Sequence, residues 1–89
     1  MSSRQTGSTT RKLKGLYREW KKNTDQAPVY VVHSLEFERY VRNLARDRIN
    51  DTGFDLALRV MTVEDVRVRH KLKGLRHILS IDPQVVRKL

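Results

Sequence analysis

The stretch 28–54, PVYVVHSLEFERYVRNLARDRINDTGF, decides how the whole chain is read. Between Pro28 and Gly53 it holds neither glycine nor proline, and its apolar residues recur at helical spacing. Val29, Val32, Phe37, Tyr40, Val41, Leu44, Ala45 and Ile49 form a stripe, widened near its start by Val31 and Leu35. On the polar side Glu36 and Arg39, and Glu38 and Arg42, stand at the three- and four-residue spacings that add about 0.2–0.5 kcal/mol per pair to a helix. This pattern predicts one long central helix. A stripe broader than one face predicts two contacts, one within the chain and one with a second chain.

The flanks read as shorter elements folded against that helix. Residues 1–9, MSSRQTGST, are small and polar and predict a disordered arm. Thr9 or Thr10 can cap a first helix in which Leu13, Leu16, Tyr17 and Trp20 share one face and Arg11, Lys12, Lys14, Lys21 and Lys22 occupy the rest. Gly15 weakens that helix by about 1 kcal/mol, and Trp20 reads as a core anchor rather than a base-stacking residue. Residues 23–27, NTDQA, make a turn, and Pro28 suits the first turn of the helix after it. Beyond the centre, 56–61 (LALRVM) is a short β-compatible link. Thr62 with Asp65 three residues on starts a capping box, and Val68, Leu72, Leu75 and Leu79 predict a third helix that fades near Ser80. Asp82 and Pro83 restart a short last helix carrying Val85, Val86 and Leu89. The pentapeptide KLKGL occurs at 12–16 and again at 71–75; without wider similarity it reads as coincidence between two basic helices, not as a solenoid.

Composition bounds the function. At 89 residues the chain is one small domain, 10–80, with an arm at 1–9 and a tail or short helix at 81–89. Apolar residues are 38%, below the roughly 45–50% of ordinary domains, so the core is thin and an obligate partner is the natural remedy. The charge of +9 sits at the two ends: 1–28 carry seven Lys/Arg against two acids, 29–58 four against five, and 59–89 eight against three. Two basic ends around a neutral centre predict a polyanion met by the ends while the centre packs. With no cysteine, and with His33, His70 and His77 unclustered, no metal site is expected. Asp47, Asp51 and Asp55 recur every four residues, but Arg46, Arg48 and Arg59 lie near enough in sequence to make them a solvated face. No phosphate loop, nucleophile elbow or HExxH motif is present, and neither catalysis nor a cofactor is expected.

Short helix, long helix, β-like link, short helix resembles the layout of the histone fold, an all-α architecture. The segment Val60-Met61-Thr62-Val63-Glu64-Asp65-Val66 is similar to the histone stretch in which a short strand enters the third helix, and 37–45 resembles the second half of a histone central helix. Within that superfamily the chain is most similar to the family of centromere protein W, small basic subunits whose central helix starts much like Val31-Val32-His33-Ser34-Leu35. The resemblance implies a heterodimer with a histone-fold partner of the centromere protein T kind, duplex DNA contacted without sequence preference, and a nuclear location at the centromere and kinetochore. Carried over, Val29, Val32, Phe37, Tyr40, Val41, Leu44 and Ile49 would face the partner, and Arg11, Lys12, Lys14, Lys21, Lys22 and Arg59 would face DNA. About four extra residues between Phe37 and Asp65 depart from the histone pattern.

Two rival readings stand beside it. Leu16-Tyr17-Arg18 in a basic first helix matches the tripeptide of the mitochondrial LYR-motif assembly factors for iron–sulfur or respiratory complexes, and the first eighteen residues, which lack any acid, share the composition of mitochondrial presequences. A stand-alone helix-turn-helix repressor is disfavoured by the length of the predicted central helix.

Overall fold

The computed structural model describes residues 2–88. It is a mixed α/β structure built on a three-stranded parallel sheet, so the expected all-α histone fold is overturned. The order of elements is α1 (Ser2–Lys22), β1 (Ala27–Val32), α2 (Leu35–Arg48), α3 (Thr52–Ala57), β2 (Arg59–Thr62), α4 (Val63–Arg67), β3 (His77–Ile81) and α5 (Pro83–Lys88). In the sheet β1 is central, with β2 on one side and β3 on the other.

The deciding stretch breaks at Ser34. Its first residues, APVYVV, are the central strand, nearly all buried. A continuous run of β-branched and aromatic residues is what a parallel strand covered on both faces needs. The same run also satisfies a helical stripe, which is why the period misled. Alternate residues go to opposite faces: Tyr30 and Val32 join the main core, whereas Val29 and Val31 join a second one. Pro28 is tolerated in a central strand because of its position. The Ala27 N–H donates to the Arg76 carbonyl on the β3 side (2.8 Å), which turns the Pro28 nitrogen toward β2. There β2 has not yet begun, since its first paired residue, Arg59, stands opposite Val29.

Ser34 caps α2 by accepting a hydrogen bond from the Phe37 N–H (3.2 Å). The helix is 14 residues long and closes where Asn50 takes a left-handed φ of 54°. Asp51 then caps α3, accepting from the Phe54 N–H at 3.0 Å. The single long helix expected here is thus interrupted by a junction at Asn50 and Asp51 between α2 and α3. Thr62 and Asp65 complete the capping box, each backbone N–H donating to the other's side chain at 3.1 Å. The helix it starts is short, however. Residues 68–76 turn back, with His70 and Gly74 at φ 51° and 76°, and deliver the chain to β3. The predicted third helix is therefore replaced by α4, a turn and a strand: Leu72 and Leu75 pack on the second core from the turn, and Leu79 belongs to β3.

Helices α1, α2 and α3 share the main core, in which Leu13, Leu16, Val41, Leu44, Phe54 and Leu58 are buried against Tyr30, Val32 and Val60. Helix α1 begins at Ser2, so the expected boundary near Thr10 falls inside it, and Thr9 is buried rather than a cap. The Thr9 and Tyr30 hydroxyls donate to Asp82 Oδ1 at 3.0 and 2.7 Å, while its Oδ2 takes the Gln84 N–H at 3.0 Å. This fully buried carboxylate ties α1, β1 and α5 together. Burial, then the bond to Asp82, pushes the Tyr30 hydroxyl well above the phenol range. The expected restart at Asp82 and Pro83 holds, with α5 running from Pro83; Leu89 lies outside the described residues.

A candidate nucleic-acid interface

Helix α1 carries the largest excess of positive charge of the described helices, seven Lys and Arg against one acid. Thr9, Leu13 and Leu16 are buried and Trp20 half-buried, so the sheet-facing side is fixed. At 3.6 residues per turn, Arg11, Lys14, Arg18, Lys21 and Lys22 then fall within about 100° of one another on the opposite side, and Lys12 on its flank. All six are exposed. None makes an ion pair among the described residues, and Glu19 is the one acid between Arg11 and Lys22. Lys21 lies over the Tyr17 ring, 5.8 Å from its centroid. Lys21 and Lys22 also occupy the last turn, where the helix dipole favours cations.

Two contacts lock α1 in this orientation besides the core. The Tyr17 hydroxyl donates to Asp51 Oδ2 at 2.7 Å, and the Tyr17 and Phe54 rings meet edge to face at 5.2 Å. The bond to Asp51, then burial, raises the Tyr17 hydroxyl; reciprocally, the Tyr17 bond and then the Phe54 N–H hold the Asp51 carboxyl below its ordinary value. Asp51 therefore serves as a cap and as a clamp for the basic helix.

Among the described residues, three open grooves lie beside α1. One of about 360 Å³ runs along β3 and is lined by Arg11, Lys12, Glu19 and Ile78 among others. A second of about 360 Å³ is formed by Lys14, Tyr17, Arg18, Arg48 and Ile49. The third, about 450 Å³, opens at the N-terminal edge of the sheet between Trp20, Gln26, Leu56 and Arg59. All the expected DNA-facing residues are thus exposed, on α1 itself and, for Arg59, at the neighbouring edge. Two further cations belong with them. Arg18 was legible, since it stands four residues after Lys14 on the same side. Arg48 was not, because only the packing of α2 beside α1 brings it to Lys14.

The residues expected to face a partner are placed differently. Val29, Val32, Val41 and Leu44 are buried by this chain's own helices and sheet, Phe37 and Ile49 are half-buried against the same core, and Tyr40 stays exposed. The broad stripe that asked for a second chain is divided between the two faces of a strand and one face of a helix. At the C-terminal edge of the sheet, where open α/β sheets commonly bind ligands, Asp82 is already saturated and Glu36 and Glu38 occupy the first turn of α2. His33 stacks on Phe37 at 5.0 Å, with a buried Nδ1 that has no hydrogen-bond partner among the described residues. The three aspartates part company: Asp47 is exposed on α2, Asp51 caps α3, and Asp55 lies 3.8 Å from Arg46. Among the described residues no His, Asp and Glu cluster could hold a metal ion, and no helix is long and apolar enough to cross a membrane. Compared with protein-family models, curated proteins and solved structures, the chain matches none.

Proposed function

We propose that the chain binds nucleic acid by laying the outer face of α1 along the phosphate backbone. What supports this reading is a single observation: five exposed cations on one side of a rigidly held helix, with no ion pair among the described residues. Such a stripe gains from releasing the counterions condensed on a polyanion and carries no means of reading base sequence. The centromeric setting and the histone handshake rested on a fold that the parallel sheet removes as an argument. The DNA contact does not depend on that fold and is what carries forward.

Anisotropy of a labelled oligonucleotide titrated with the protein tests this. Five phosphate contacts give a log–log salt slope of about −4.5 on duplex. Lys14→Glu with Arg18→Glu should weaken binding by about tenfold or more at low salt, whereas Arg67→Glu with Lys73→Glu changes net charge equally but lies off α1 and should matter far less. Equal loss from the two pairs would make the effect one of net charge alone and sink the assignment to α1.

A further inference from the structure

The groove at the N-terminal edge of the sheet differs from the other two in holding an indole. Trp20 is anchored on its inner side by Phe54 and Tyr17, with ring centroids at 5.6 and 6.3 Å. A Cβ built on Gly53 would come within 3.5 Å of the Trp20 Cη2 atom, so the start of α3 also holds the ring. Trp20, half-buried, also lines a concavity of about 450 Å³, shared with Thr24, Asp25, Gln26, Leu56 and Arg59. Leu56 is 82% exposed, an apolar side chain left in water at the rim of an aromatic wall. Thr24 and Gln26 offer donors and acceptors to a planar polar edge. The one acid, Asp25, is engaged by Arg76 at 3.3 Å. Positive charge flanks the opening, from Arg59 at the groove and from Lys21 and Lys22, which follow Trp20 at the end of the α1 stripe.

Resting on the reading of α1 as a backbone-binding face, we infer that this groove takes one unpaired base of a single-stranded nucleic acid, stacked against Trp20, with the adjoining phosphates on Arg59, Lys21 and Lys22. The preferred ligand is thereby a single strand rather than a duplex. A base within a duplex has both faces stacked and its edge paired, so it cannot enter a concave pocket, whereas a single strand presents a free π-face at every nucleotide. The stripe fixes the backbone, and the indole supplies a sequence-tolerant stacking step at its end.

Trp20 is the only tryptophan in the chain, so its emission reports the groove directly. The intact protein is titrated with a labelled thymidine dodecamer, the matching duplex, and an abasic deoxyribose-phosphate strand, reading anisotropy and tryptophan emission together. The single strand should quench and shift the emission as it binds, while the duplex and the abasic strand bind with little change in it. Leu56→Glu leaves the core untouched and places a carboxylate at the rim. It should abolish the quenching and weaken single-strand binding by about fivefold or more, the low end of a base–aromatic stack, with duplex affinity altered far less. Trp20→Phe, which keeps an aromatic ring in the core, should weaken the single strand selectively. Binding of the single strand without a change in emission, or equal quenching by the abasic strand, overturns the inference and leaves the α1 reading standing. Failure of all three probes to bind overturns both.

Discussion

At 12–16 the sequence KLKGL is part of a helix, with Leu13 and Leu16 1% and 3% exposed in the main core. At 71–75 the same five residues form a turn: Leu72 and Leu75 are half-buried on the opposite face of the sheet, and Gly74 stands at φ 76°. Identical side chains therefore meet two cores in two backbone conformations, and their neighbours make the difference. The first copy is flanked by Thr9, Tyr17 and Trp20, which extend its apolar stripe in both directions, so a helix once nucleated propagates through Gly15. The second follows His70 in a left-handed conformation. The Asp65 carbonyl accepts the Lys71 N–H at 3.1 Å, and the Asp65 carboxylate lies 3.5 Å from the Lys71 ammonium. The chain is reversed before a helix can restart. The difference extends to charge: Lys12 and Lys14 are without ion-pair partners among the described residues, whereas Lys71 has one.

The largest difference is expected at the leucines. Leu13→Ala should cost about 3 kcal/mol, within the range for a fully buried leucine, and Leu72→Ala about 1 kcal/mol because solvent can relax into its site. Urea unfolding followed by circular dichroism measures both, and equal losses would mean that the second core matters as much as the first. The glycines should differ in sign. Nothing lies within 4 Å of a Cβ built on either one, so backbone conformation alone decides. Gly74→Ala forces a side chain into the left-handed region and should destabilise by about 1–2 kcal/mol. Gly15→Ala should stabilise by about 0.5–1 kcal/mol, measured as a gain in melting temperature.

A smaller, local effect is expected in acid. The Thr62 N–H chiefly, opposed by burial and assisted by Arg69 and Lys71, holds the Asp65 carboxyl below its ordinary 3.8. A carboxyl depressed in the folded state stabilises fully above its unfolded value, and the contribution is lost as pH falls through the folded value. Below about pH 4 amide protection at 71–75, measured against the intrinsic exchange rate at each pH, should therefore be lost before that at 12–16, and Asp65→Asn should remove the difference in pH dependence. Uniform loss of protection along the chain would show that Asp65 does not anchor the second copy.

The single-residue and short-range devices were legible in the sequence: the stripe of α1, the Thr62 and Asp65 box, the Asp82 and Pro83 restart, and the basic ends. The first three are matters of a few neighbouring residues, and each of those formed where the residues called for it. The cations proposed to meet nucleic acid were legible as basic positions, Arg11, Lys12 and Lys14 in the first helix, Lys21 and Lys22 expected in the loop after it but found in its last turn, and Arg59 farther on. The sheet was not. Val-Tyr-Val-Val fits a buried strand and a helical stripe equally well, and periodicity cannot separate the two over so short a run. The choice is made by pairing across the chain, Val31 with Met61 on one side and with Ile81 on the other. Such contacts have no local signature, because parallel strands are joined through crossovers and their partners are always distant in sequence. The same reason hides the groove, where Trp20 and Arg59 meet only once β1 and β2 are in register. Local sequence settled the helix starts at Thr62 and at Asp82, the apolar side of α1 and the positions of the charge. Pairing at a distance settled that the central stretch begins as a strand, and that most of its apolar stripe is buried within the chain while Leu35 and Tyr40 stay exposed.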